Sequence, residues 1–182
     1  MTREGTIMRA ISVRAERDAL RVALVDAGRT HGEIAEEFMA RYGYRPRAAF
    51  RYAHGWSLTQ AAGHINAHAA DLNLDPLGRA AMTSPHLSEV ENWPYPSARR
   101  RPTPHALVLL ASVYGTDVHS LVDVHDRARM RPADRLVIDA IACAHQPARC
   151  PHCRREPTAV VPRVPRARPD ALAWSGSLTV PA

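Results

Sequence analysis

The chain is expected to fold as an all-α, multi-helix bundle, and three observations point there. Apolar residues recur at helical rather than alternating spacing. Start and stop signatures bracket the apolar segments at short intervals. No stretch alternates in the way a half-buried strand requires. A length of 182 residues suits one domain with appendages.

Each element has its own warrant. Residues 17–27, "RDALRVALVDA", set Leu20, Ala23, Leu24 and Ala27 on one face and run into Gly28, a glycine stop. Thr30 followed by Glu33 has the spacing of a capping box and opens a second helix that closes near Gly43. Pro46 suits the first turn of a third helix, "PRAAFRYAHG". Ser57 can cap a fourth, "SLTQAAGHINAHAADL", which ends near Asp71–Asn73 and gives way to a loop. Ser84, with Pro85 just inside it, starts a short helix over 84–92. The Trp93–Pro94 step stops that helix, because a residue before proline is pushed out of helical backbone geometry.

Beyond it, "YPSARRRPTP" (95–104) reads as a linker, and "PHALVLLASVY" (104–114) as an apolar helix closed by Gly115. "DVHSLVDV" adds one more short helix, and "RPADRLVIDAIACAH" (131–145) is amphipathic, as a docked helix would be. From Glu156 onward prolines and scattered arginines follow no helical period, so 156–182 is expected to be a disordered tail. The domain plan is therefore a helical hairpin over 12–45, a core over 46–124, an extra helix with a Cys/His cluster over 125–155, and the tail.

Composition excludes several classes. The longest apolar run, "ALVLLA" at 106–111, is too short to cross a bilayer, and the charged N-terminus lacks the apolar stretch of a secretory signal. Three cysteines make no disulfide framework, which places the chain in a reducing cytoplasm. The net charge is +6, and all the basic residues are arginine. Residues 1–45 carry 8 arginines against 7 acids, 46–124 carry 6 against 6, and 125–182 carry 10 against 5. The excess thus lies mostly in residues 125–182 and the core is neutral, so charge alone does not establish a nucleic-acid partner.

The 84–92 helix poses a question of its own. With each residue turning about 100°, Leu87 and Val90 share one face with Glu91. Ser88, Glu89 and Asn92 point the opposite way with Pro85, and His86 lies on the flank. A helix this short that buries a carboxylate behind a polar outer face needs a partner for that carboxylate.

Taken in order, "RYAHGWSLTQAA" (51–62), "MTSPHLSEVENW" (82–93) and "PTPHALVLLASVYGTDVHSLVD" resemble the Xre/Cro–C1 family of helix-turn-helix DNA-binding domains. The match includes the arginine and glycine that end the first helix, the capped second helix, and the Ser-x-x-Glu-Asn close of the third. It also includes the later stretch of Leu110, Ala111, Tyr114, Gly115 and Val118. The resemblance spans about 46–124 and implies a lambda-repressor-like core. Leu58 stands where that family often has glutamine, Trp93 where it usually has glycine, and the chain between Ala62 and Leu87 is longer than in the compact form.

The resemblance implies that Arg51 and Glu91 form a structural ion pair between the first and third helices. It further implies that the 84–92 helix offers Ser84, His86, Ser88 and Glu89 to a major groove, with Asn92 and Arg99, Arg100 and Arg101 near phosphates. Double-stranded DNA bound by a homodimer, without a cofactor, follows as the expected partner arrangement. The alternative is a protein-interaction module whose degenerate helix-turn-helix no longer binds DNA. The N-terminal "THGEIAEEFMARYGYRPRAAF" can be read as a second helix-turn-helix or, preferably, as a helical layer on the core.

Chemistry-bearing clusters are few. Cys143, His145, Cys150, His152 and Cys153 are donors of the right type for one tetrahedral zinc, and a zinc-dependent adaptor is a third reading. There is only one Cys-x-x-Cys pair, however, and on that ground no metal is expected. No Ser–His–Asp or paired-carboxylate spacing and no phosphate-cradling glycine loop stands out, so the chain is read as a non-enzymatic transcriptional regulator.

Overall fold

The computed structural model describes residues 12–74, 81–96, 98 and 100–143, which form eight α-helices and one 3-10 turn, with no strand among the described residues. Three of the first four helices start on side-chain caps, and the third starts on a proline. Helix α1 (Val13–Asp26) starts at Ser12, whose hydroxyl accepts from the Ala15 amide, and the chain turns at Gly28 with φ +73°. It begins four residues before the expected Arg17, because Ser12 supplies a cap that the apolar period alone does not mark. Helix α2 (His31–Tyr42) carries the reciprocal cap read from the sequence. Thr30 Oγ1 accepts from the Glu33 amide at 3.3 Å, and Glu33 Oε2 accepts from the Thr30 amide at 3.0 Å.

Pro46 opens α3 (Pro46–Ala53). Ser57 caps α4 (Leu58–Asp71) in a second reciprocal box, with Gln60. A cap of this type is worth about 1 kcal/mol.

The lengthened stretch after Ala62 resolves into two parts: α4 runs on to Asp71, and a connection then returns to Met82. Asn66 ties that return to α4, donating to the Met82 carbonyl at 2.9 Å and accepting from the Met82 amide at 2.7 Å. Helix α5 (Ser84–Asn92) follows. Its cap is Thr83 rather than Ser84, because the Thr83 hydroxyl accepts from the His86 amide while Ser84 already has helical backbone geometry. Trp93 is extended, as its position before Pro94 requires.

Helix α6 (Pro104–Tyr114) is capped by Thr103 and closed by Gly115 at φ +61°, and a 3-10 turn (Val118–Leu121) succeeds it. The "DVHSLVDV" segment is thus a 3-10 turn followed by the start of an unexpected helix, α7 (Val124–Arg129), capped by Asp123. Helix α8 (Pro132–Asp139) ends well before the expected residue 145. The 156–182 tail, Arg99, His145, Cys150, His152 and Cys153 lie outside the described residues.

One core unites these elements. Phe38 of α2, Phe50 of α3, Ile65 of α4, Leu87 and Val90 of α5, Leu107 and Leu110 of α6, and Leu121 of the 3-10 turn are all buried in it. Burying a side chain of this size contributes about 1.5–3 kcal/mol. Helices α3 and α4 pack on α5, α3 and α6 on the 3-10 turn, α4 on α6, and α2 on α3. Helix α1 is peripheral: it has no buried residue and meets the core through Leu20 and Leu24. No helix of the described chain is long and apolar enough to cross a membrane.

Candidate nucleic-acid interface

The inner face of α5 follows from its sequence period. Leu87, Val90 and Glu91 are buried, and Glu91 is only 2% exposed. Its carboxylate receives a two-pronged bond from Arg51 of α3, with Nε to Oε1 at 2.7 Å and Nη2 to Oε2 at 2.9 Å. The remaining Arg51 nitrogen, Nη1, donates to the Trp56 carbonyl at 2.9 Å. Burial opposes charge on Arg51, but the bond and charge of Glu91 outweigh it and hold the guanidinium more firmly protonated than usual. Burial likewise pushes Glu91 upward, while Arg51 and Arg47 pull it back. The ion pair expected between positions 51 and 91 is therefore present and desolvated.

A second joint has no signal in local sequence. Arg47 of α3 is fully buried, and its guanidinium meets acceptors on three other segments. Nε donates to the Val90 carbonyl at 2.8 Å and Nη2 to the Trp93 carbonyl at 2.6 Å, both at the C-terminal end of α5. Nη1 donates to the Leu121 carbonyl at 2.8 Å, and both terminal nitrogens bond Asp126 of α7, at 2.7 and 3.1 Å. All five N–H groups of the arginine are thereby matched. Asp126 also holds Arg45, which reaches Asp123 at 2.9 Å. Arg47 and Asp126 are 79 residues apart in sequence, so no local spacing announces the pair.

The outer face of α5 is polar and accessible, and its groups already have partners within the chain. Asn92 is exposed, and its Nδ2 donates to the Ser88 carbonyl at 2.8 Å. Half-buried Glu89 lies 3.3 Å from Arg100. Ser84 shares a 3.1 Å hydroxyl contact with Thr59 at the start of α4. Half-buried His86 is held below its ordinary pKa by burial first and the nearby Arg100 charge second, with Glu89 opposing. Arg100 and Arg101 are exposed just beyond the helix. The structure thus brings Ser84, His86, Ser88, Glu89, Asn92 and Arg100 to one region around α5.

Two recesses border this helix. An apolar one of about 340 Å³ lies between α4, α5 and α6, lined by Ile65, Ala69, Met82, His86 and Leu109 among others. A smaller cleft of about 280 Å³ opens between α3 and α5, beside Tyr44, Ser88, Asn92 and Tyr95.

On the far side of α3, His54 stacks on Trp56 and faces His31, with ring centroids 4.3 and 3.9 Å away, and its Nε2 donates to the Tyr114 carbonyl at 3.2 Å. Burial and then the proximity of His31 push His54 down to about 4, with His64 adding to the effect and the Tyr114 bond opposing it.

The chain matches no family model, no curated protein and no solved structure.

Proposed function

We propose that the chain is a sequence-specific DNA-binding transcriptional regulator of the Xre/Cro–C1 helix-turn-helix type, cytoplasmic and non-catalytic, acting on duplex DNA as a homodimer. The observation that carries this reading is the division of α5 into a clamped inner face and a polar outer one. Arg51 and Arg47 fix the inner side, and Ser88, Glu89 and Asn92 remain outside. With side chains an α-helix such as α5 is about 10–12 Å across, narrow enough to enter a major groove about 12 Å wide. Docking would exchange the Glu89 partner of Arg100 for a phosphate, leaving Glu89 free to accept from the exocyclic amine of a cytosine.

The test is selection of bound sequences from random duplex DNA with the full-length protein. Enrichment of a palindrome, with binding that falls steeply as salt rises, is the expected outcome. Recovery of unenriched sequences refutes it. A protein-interaction module is the second reading. It is favoured by the internal pairing of Glu89 with Arg100 and of Asn92 with Ser88, next to the cleft beside Tyr44 and Tyr95. Absence of salt-dependent duplex binding would bring it forward.

A further inference from the structure

Protein interiors are normally packed with few voids larger than a water molecule. The recess of about 340 Å³ between α4, α5 and α6 departs from that rule. Ala69 and Ala70 of α4, Ala81 ahead of α5 and Ala106 of α6 line it with side chains too short to meet across the gap. Its wall is held by Asn66, whose side chain donates to the Met82 carbonyl at 2.9 Å and accepts from the Met82 amide at 2.7 Å. The space is therefore formed before anything enters it, as small-molecule sites usually are.

The recess also has a direction. Ile65 and Met82 are buried, His86 of α5 is half-buried, and Thr103 and His105 at the start of α6 are exposed. An apolar floor thus leads to a polar mouth. The Thr103 oxygen accepts from the Ala106 amide at 3.2 Å, which leaves its O–H to donate. The rings of His86 and His105 have no hydrogen-bond partner among the described residues, and each neutral ring carries one N–H. None of the described residues lining the recess is an acid. Glu89, whose charge reaches His86, is itself paired with Arg100. The first turn of α6 adds the positive end of a helix dipole.

We propose that this recess binds a small amphipathic acid, its apolar body against Ile65, Met82 and Leu109 and its carboxylate at Thr103, His105 and His86. A mouth that offers donors and no carboxylate suits a head that only accepts. Size sets the body. An apolar cavity of about 150 Å³ takes up benzene, so 340 Å³ suits a molecule of about twelve non-hydrogen atoms. A medium-chain carboxylic acid such as decanoate meets both conditions. The proposal does not rest on DNA binding, and its test is read without DNA.

Isothermal titration of the full-length protein with decanoate should show one saturable site per chain. Decylammonium, equal in chain length but opposite in charge, should bind about tenfold more weakly or worse, because it brings donors to donors. Ala69→Leu and Ala106→Leu should each weaken decanoate by about tenfold or more, since leucine takes the space of the ligand. Their urea midpoints should hold or rise, because the added side chain fills a gap. A decanoate carrying a diazirine at its tail end reads the site in the unaltered protein, whatever the leucine variants do to folding. Labelled peptides should contain Ile65, Met82 or Leu109. Absence of saturable decanoate binding overturns the proposal. So does equal affinity for decylammonium, binding undiminished in a folded leucine variant, or labelling confined to other peptides.

Discussion

Removing Glu91 should destabilise the chain far more than an ordinary ion pair would. Arg51 is 5% and Glu91 2% exposed, and two bonds of 2.7 and 2.9 Å join them. Glu91→Ala keeps the Arg51 bond to the Trp56 carbonyl but deprives Nε and Nη2 of their acceptors. Breaking a buried pair from one side costs about 3–5 kcal/mol, whereas an exposed pair is worth about 0.2–1 kcal/mol. With a urea slope near 2 kcal/mol/M, the larger figure moves the unfolding midpoint by about 2 M. The double change Arg51→Met with Glu91→Leu should recover most of that loss, because no charge is left behind in the core. Urea unfolding followed by circular dichroism measures all three proteins. A loss below 1 kcal/mol for Glu91→Ala, at unchanged slope, would refute the burial of the pair. A double variant no better than the single one would refute the unpaired guanidinium as the cause.

Three further outcomes are expected. Asp126→Ala should cost about 3–5 kcal/mol in the same assay, since it leaves the Arg47 charge without its carboxylate fully inside the core, while Arg45 keeps only Asp123. His54 is depressed to about 4 in the fold, so between its ordinary 6.5 and 4 the unfolded chain binds more protons. Its contribution is therefore fully present above pH 6.5 and falls as the solution is acidified to 4. Discounted for its partial solvent contact, the loss is about 1–2 kcal/mol. Comparing native and His54→Gln stability at pH 7 and pH 4 isolates it, and equal losses in both would refute the assignment. For the proposed DNA contact, replacing Arg99, Arg100 and Arg101 by alanine should weaken all sequences alike. It should also flatten the salt slope by about one unit for each phosphate left without its arginine. Glu89→Ala should instead relax discrimination at one base position by about 1–3 kcal/mol. Unchanged sequence preference in that variant, with binding abolished in the arginine variant, would show that α5 is not the reader.

Local chemistry made much of the fold legible. The caps at Thr30 and Ser57, proline at the first turn of α3 and α6, and glycine after α2 and α6 are rules about neighbouring residues, and they placed those helices to within a residue or two. The inner face of α5 was also legible, because Leu87, Val90 and Glu91 obey the helical period. Helix α7 was not, since "VHDRAR" is polar almost throughout and its first residue, Val124, is 74% exposed. Its reason to exist is Asp126, which is buried for arginines some 80 residues away. Arg47 was illegible for the same reason: an arginine beside a helix start reads as solvated surface unless its distant carbonyl acceptors are known. The outer residues of α5 were placed correctly on the helix, but the Glu89–Arg100 pairing that neutralises part of that face depends on how the linker folds back.

The five-bonded guanidinium of Arg47 also governs how α5 meets anything outside the molecule. It grips carbonyls at the end of α5, groups that a helix otherwise leaves to water. Lysine has only three donors and no planar fork, so it could not hold both of these carbonyls, Leu121 and Asp126 at once. Together with Glu91, the grip joins α5 to α3 as one stiff unit, and the tilt of its outer face is decided during folding. An encounter then requires little further ordering of backbone. Association should accordingly resemble the meeting of two preformed shapes, with its heat-capacity change accounted for by the surfaces that touch rather than by a helix that forms on contact.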